Sequence, residues 1–105
     1  MKIRIELWMW LGNRLAPDFD SLSDMRSAKE VEVEEGLTVI QLFDLLASRY
    51  PLIGEKVFDR EKGHFHPNLS IVVTQDGRVV SPFNPQGDAM KDGQKITVLP
   101  LYVGG

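Results

Sequence analysis

Residues 36–51 read Gly-Leu-Thr-Val-Ile-Gln-Leu-Phe-Asp-Leu-Leu-Ala-Ser-Arg-Tyr-Pro, and their reading decides the fold. Thr38 is followed three positions later by Gln41. At that spacing each side chain satisfies a backbone N–H that the first helical turn leaves free. Leu37 before the cap and Leu42 after it suit a hydrophobic staple. Val39, Leu42, Phe43, Leu46 and Tyr50 recur at helical spacing and form one apolar face, which Ile40 and Leu45 widen. Gln41, Asp44 and Ser48 lie opposite, and Pro51 marks the stop. The spacing predicts a helix over residues 38–50 whose apolar face needs a sheet to cover it.

The flanks supply that sheet. Residues 2–8 alternate, with Ile3, Ile5 and Leu7 on one side and Lys2, Arg4, Glu6 and Trp8 on the other. Continued, the strand would keep Met9 and Leu11 inward and set Trp10 beside Trp8. Residues 29–35, Lys-Glu-Val-Glu-Val-Glu-Glu, alternate again around Val31 and Val33. Their four glutamates suit a solvated edge strand, whose charges discourage sheet-to-sheet pairing, better than a metal site. Beyond the helix, residues 69–74 are β-rich, Asp76-Gly77 signals a two-residue hairpin turn, and 78–80 supply the return strand. A second turn falls at Asp92-Gly93. Residues 95–101 are apolar on both sides, Ile96 and Val98 on one and Thr97 with Leu99 on the other, as in a central strand. Pro100 has no N–H and should end the pairing.

The order strand, strand, helix, strand, strand, strand predicts an α+β fold. It is a mixed sheet of four to five strands with one main helix packed on one face. Residues 1–105 are expected to form a single domain with a C-terminal tail at 102–105. Two long connections interrupt the pattern, and the first has room for a short helical turn near Leu22 to Arg26.

Composition narrows the function. With 12 basic and 15 acidic residues the net charge is −3 and the pI near 5.3, so no broad basic surface for nucleic acid or an anionic membrane is implied. The absence of cysteine excludes disulfides, thiolate-held zinc, iron–sulfur clusters and a cysteine nucleophile. It is compatible with a cytoplasmic location. The apolar start is interrupted by Arg4 and Glu6 and reads as a strand rather than a signal peptide. No uncharged apolar run approaches the ~20 residues that span a bilayer. His64-Phe65-His66 would project both imidazoles to one side of an extended chain, but no third ligand stands at a fixed spacing, so a plain loop is preferred and no metal is expected. Ser21, Ser23 and Asp24 suit turns and caps. No phosphate loop, nucleophile elbow or dinucleotide fingerprint is visible.

The remaining feature is Gly104-Gly105, which follows directly on the apparently central strand. Glycine has no Cβ, so its backbone can enter a narrow channel. The α-carboxyl, with an ordinary pKa near 3.5, is anionic at neutral pH and resists nucleophilic attack until activated. The pair reads as a carboxylate offered to another enzyme.

Four stretches then carry a resemblance. They are Leu37-Thr38-Val39 opening the helix, Arg49-Tyr50-Pro51 closing it, Met90-Lys91-Asp92-Gly93-Gln94 before the last strand, and Val98-Leu99-Pro100-Leu101-Tyr102-Val103-Gly104-Gly105 at the end. Together they resemble the MoaD/ThiS family of ubiquitin-like, β-grasp sulfur carriers, and within it the small subunit of molybdopterin synthase. The resemblance covers residues 1–8 and about 30–105, while 9–29 and 54–68 look longer than a compact member has. It implies a carrier rather than an enzyme, with no cofactor of its own. An adenylating, E1-like activating enzyme would use ATP on the Gly105 carboxylate, and sulfur transfer would make a thiocarboxylate. Tyr102, Val103 and Gly104 would thread it into the large subunit of molybdopterin synthase or an equivalent sulfur acceptor. Docking in such systems uses an apolar patch on the exposed sheet face, where Leu99 falls; Trp8 joins it if the first and last strands pair. Three other outcomes are carried: a carrier for thiamine thiazole or another sulfur pathway, a non-covalent interaction module, and a modifier joined to lysines through Gly105.

Overall fold

A computed structural model describes residues 1–101. The expected tail residues Tyr102, Val103, Gly104 and Gly105 lie outside the described residues.

The first strand, β1 (Lys2–Leu7), is the hinge of the architecture. On one side it pairs antiparallel with β3 (Arg26–Glu32), on the other parallel with β8 (Lys95–Pro100). β6 (Leu69–Gln75) lies antiparallel to β8, and β7 (Arg78–Val79) returns beside β6. β2 (Asp20–Ser23) adds the opposite margin, so the six-stranded sheet runs β2-β3-β1-β8-β6-β7. The strand that is apolar on both sides therefore lies inside the sheet, with Ile96, Thr97 and Val98 all buried. Asp76 and Gly77 both take the left-handed conformation, at φ 54° and 79°, as the tight hairpin turn between β6 and β7 requires.

Parallel strands need a crossover, and α1 (Val39–Arg49) lies within it. Its cap is as the sequence predicts. The Gln41 N–H donates to Thr38 Oγ1 at 3.2 Å, and the Thr38 N–H donates to Gln41 Oε1 at 2.9 Å. Val39, Leu42, Phe43, Leu46 and Ala47 are buried against Ile3, Ile5, Leu7, Ile96 and Val98 in one cluster. Leu45 corrects the reading of that face. At about 100° per residue it falls well round the helix from the buried arc, and it is 57% exposed. Pro51 is more than a stop. It opens α2 (Pro51–Lys56) at the first helical turn, where its missing N–H costs nothing.

The long connections also depart from expectation. The second strand begins at Arg26 rather than Lys29, and a hairpin through Asp24-Met25 replaces the helical turn near Leu22 to Arg26. Ser27 and Ala28 are drawn in by their register with Leu7 and Glu6 on β1, which extends β3 backward. The preceding stretch is anchored by Leu11, Leu15 and Phe19, all buried. Tyr50 pins it to the end of α1, donating from its hydroxyl to Asp18 Oδ2 at 3.0 Å. After α2, β4 (Phe58–Asp59) pairs with β5 (His64–Phe65) in a second, two-stranded sheet. Phe65 packs between Phe43 and Phe58, with centroids 4.9 Å and 5.3 Å away. No helix among the described residues is long and apolar enough to cross a membrane.

Candidate functional site on the open sheet face

The register between β1 and β8 sets Arg4 beside Lys95, Glu6 beside Thr97 and Leu7 beside Val98. Backbone pairing continues one residue past β1, where the Trp8 N–H donates to the Val98 carbonyl at 2.8 Å. Side chains alternate across a strand, so Arg4, Glu6, Trp8, Thr97 and Leu99 share the face away from α1. The first and last strands do pair, and they bring Trp8 and Leu99 together.

Trp8 and Leu99, with Ser23, Met25, Arg26 and Pro100, line a largely apolar hollow of about 340 Å³. Leu99 is half-buried in its wall rather than fully exposed. Trp8 and Met25 each remain 39% exposed, so the connection at 9–29 supplies part of the rim without covering the tryptophan. Trp10 stands apart at 68% exposure, and Leu101, the last described residue, is 52% exposed.

Beside the hollow sits a carboxylate that sequence reasoning missed. Glu6 is only 4% exposed although it lies on the open face. The Trp8 indole N–H donates to Glu6 Oε1 at 3.0 Å, and Arg26 Nη2 donates to the same oxygen at 2.9 Å. Arg4 Nε donates to Oε2 at 3.1 Å, and Lys95 Nζ lies 3.8 Å from that oxygen. Burial alone would push the carboxyl up. The indole, both guanidiniums and the ammonium outweigh it and hold Glu6 at about 2, below the ordinary 4.5. Arg26 also lies over the Trp8 ring, 4.7 Å from its centroid, so one guanidinium grips both partners. The Trp8 ring is thus contacted from the side by Glu6 and from above by Arg26. Glu6 and Trp8 share a face by alternation alone, but Arg26 belongs to a connection whose strand no local pattern announces.

The histidine pair takes a structural place. His66 Nε2 donates to the Gly54 carbonyl at 2.9 Å, and His64 Nδ1 meets the Phe65 carbonyl at 2.8 Å. Among the described residues no group of three His, Cys, Asp or Glu side chains could hold a metal ion. What remains is a rigid sheet face with an apolar hollow and a cationic margin, close to the point where β8 hands the chain to residues 102–105.

Two crystal structures of small archaeal modifier protein 1 from Haloferax volcanii share this fold. One has a TM-score of 0.61 at 21% identity, each chain covering all of the other. The other has 0.60 at 20% identity, over 96% of this chain and 98% of that one. A further Haloferax volcanii protein, determined in solution, gives 0.56 at 19% identity over 99% and 88%. The comparison with curated protein sequences finds no match. The likeness to these structures establishes a β-grasp fold, as the sequence resemblance implied. The model of the ThiS family matches residues 19–105, taking in α1, the hairpin, β8 and the diglycine, and by that match the chain belongs to the ThiS family.

Proposed function

We propose that this chain is a sulfur carrier that works through the carboxylate of Gly105 and serves molybdopterin synthesis in the cytoplasm. The observation that carries the sulfur-carrier part of this reading is the family match, which runs through β8 onto Gly104-Gly105, while the choice of molybdopterin synthesis rests on the sequence resemblance of the closing stretch. The chemistry follows from the group. A carboxylate is a poor electrophile, so an E1-like enzyme transfers AMP to it from ATP and releases pyrophosphate. A sulfur nucleophile then displaces AMP and leaves a thiocarboxylate. β8 is held on both sides by β1 and β6, so the tail begins from a fixed point. Gly104 and Gly105 carry no Cβ and suit a channel too narrow for side chains. The hollow formed by Trp8, Met25 and Leu99 serves as the docking surface for the activating enzyme and for the sulfur acceptor, which here is the large subunit of molybdopterin synthase. The carrier supplies position and a terminal group, while its partners supply the acid–base chemistry.

The test is intact-mass analysis of the chain recovered with its partners by pull-down. Incubation with the activating enzyme, ATP and a sulfur donor should exchange one carboxyl oxygen for sulfur, and molybdopterin synthase should consume that sulfur. Adding one residue after Gly105 should abolish the exchange completely while leaving the fold intact. Exchange that survives the added residue would overturn the reading.

A second reading is favoured by the likeness to small archaeal modifier protein 1, named as a modifier. In that case the Gly105 carboxyl becomes joined to a lysine amine. The same mass analysis separates the two outcomes, an isopeptide-linked adduct against an oxygen-to-sulfur exchange on the free chain.

A further inference from the structure

The four glutamates at 30, 32, 34 and 35 do not line the hollow at Trp8 and Leu99; Glu30 and Glu32 stand opposite Arg4 and Lys2, on the same face of the sheet, and the structure sets all four along an unfinished edge. β2 covers β3 only at residues 26–28. From residue 29 to 32, β3 has β1 on one side and no strand on the other among the described residues. Val33 exchanges both backbone bonds with Met1, at 2.9 Å and 2.7 Å. Alternation along that antiparallel ladder turns the backbone groups of Val31 toward β1 and those of Glu30 and Glu32 outward. Two residues' worth of donors and acceptors therefore stand ready for another strand.

An exposed edge with acidic side chains is ordinarily read as protection against pairing. Protection needs no exposed leucine, yet one is present. Leu45 of α1 rises beside this edge, and with Leu37 and Val33 it lines a largely apolar hollow whose margin is Glu32 and Glu34. A second shallow hollow lies on the other flank of Leu45, among Leu37, Ile40 and Phe58. Of the cations nearby, Lys2 stands opposite Glu32 in the strand register, while Arg4, opposite Glu30, is held on Glu6. Lys29 donates to the Asp18 carbonyl at 3.1 Å, and Arg60 pairs with Asp44 at 3.2 Å. Among the described residues the N-terminal ammonium is the one cation within salt-bridge distance of a margin carboxylate, 3.8 Å from Glu32.

From the open edge, the apolar hollow and its acidic margin together, we infer that β3 and α1 form a second docking site, for an extended peptide segment of a partner protein that alternates apolar residues with lysine or arginine. The segment adds a strand beside Glu30 and Glu32 by main-chain hydrogen bonds. Its apolar residues descend toward Val33, Leu37 and Leu45, and its cations meet the glutamates. This surface lies toward the Lys2 end of β1, whereas Trp8 and Leu99 lie at its other end, so the two sites are separate along the strand.

Isotopically labelled full-length chain, titrated with a synthetic peptide of alternating valine and lysine, tests the assignment. The expected result is saturable shifts of the amide signals from residues 29–45, with slowed hydrogen exchange at Glu30 and Glu32. The double variant Glu32→Lys, Glu34→Lys should bind roughly tenfold more weakly or worse, and Leu45→Asp similarly. All three substituted positions are exposed, so folded protein is retained for the measurement. Shifts centred on Trp8 and Leu99, an unshifted spectrum, or equal binding of an alternating valine–glutamate peptide would each overturn the inference. So would self-association abolished by Leu45→Asp, which would assign the edge to a second copy of the chain.

Discussion

Glu6 and Glu32 lie on strands that pair with each other, and they show how differently one residue type can be used. Glu6 is nearly buried; Arg4, Arg26 and the Trp8 indole donate hydrogen bonds to it, and the Lys95 ammonium lies 3.8 Å away. Glu32 has a side chain 73% exposed and one distant ammonium for company. Each glutamate borders an apolar hollow, one containing Trp8 and Leu99 and the other Leu37 and Leu45. The first hollow has a preorganised margin with excess positive charge, because one carboxylate faces three cations. The second has a solvated margin of free carboxylates. Side chains already fixed lose little entropy on binding, so the open face is suited to strong, orientation-demanding docking. Free surface charges are screened and individually worth little, so the β3 edge is suited to weaker, charge-selected contact.

The sharpest way to break that contrast is to exchange the consequences of damage. Leu99→Lys places a further cation in the first hollow. It should slow activation of the Gly105 carboxylate by roughly 100-fold, the size of a central interface residue. Leu45→Asp should leave that rate unchanged. Single-turnover kinetics of thiocarboxylate formation read both, with circular dichroism as the check on folding. If Leu45→Asp slows activation and Leu99→Lys does not, the two faces have been assigned the wrong way round.

The next effect concerns stability rather than docking. Glu6 is held at about 2 when folded, against an ordinary 4.5. A depressed folded value stabilises the charged state. That contribution is full above the ordinary value and is lost as pH falls from there toward the folded one. A shift of this size is worth about 3 kcal/mol at most, less what solvent screening removes from the half-exposed cations. Glu6→Gln should therefore cost about 2 kcal/mol at neutral pH, since it leaves the guanidiniums without their charge partner. The variant should also lose much of the wild type's acid dependence over the same interval. Urea unfolding of both proteins across that interval measures the difference. Equal acid slopes for the two would show that Glu6 does not set the acid limb.

How much of this was legible in the sequence follows from how local each signal is. Thr38 and Gln41 meet within one helical turn, and Asp76-Gly77 specifies its own backbone, so both could be read directly. β8 could be placed inside the sheet because both its faces are apolar. The choice of Leu99 rests instead on the family resemblance, and Trp8 joins it only on the condition that the first and last strands pair, which they do. β2 could not be found, because Asp20-Ser21-Leu22-Ser23 is exposed throughout and is a strand only through its pairing with β3. The hairpin at Phe58 and Phe65 depends on the Phe65 ring meeting Phe43, twenty-two residues back in the chain. The Glu6–Arg26 pair joins positions twenty apart and exists only once the register between β1 and β3 is known. Leu45 is misplaced because hydrophobicity alone widens the apolar face to include it, although helical spacing sets it beyond the arc that the sheet covers.

Leu45 also supplies the smallest expected effect, and a useful one. If the hollow beside β3 is a surface feature, Leu45→Asp removes only solvent-facing contacts and some helix propensity. Leucine is a better helix former than aspartate by a few tenths of a kcal/mol, and Arg49, one turn on, gives the new carboxylate a weakly favourable partner that offsets part of this. The cost should be about 0.5 kcal/mol, the ordinary range for a surface substitution. Denaturant unfolding at neutral pH measures it, with an unchanged dependence on denaturant showing that the same surface is exposed on unfolding. A loss of about 2 kcal/mol or more would mean that Leu45 packs as a core residue does. The second hollow would then be part of the scaffold, and the glutamates along β3 would be left with the single task of keeping its edge unpaired.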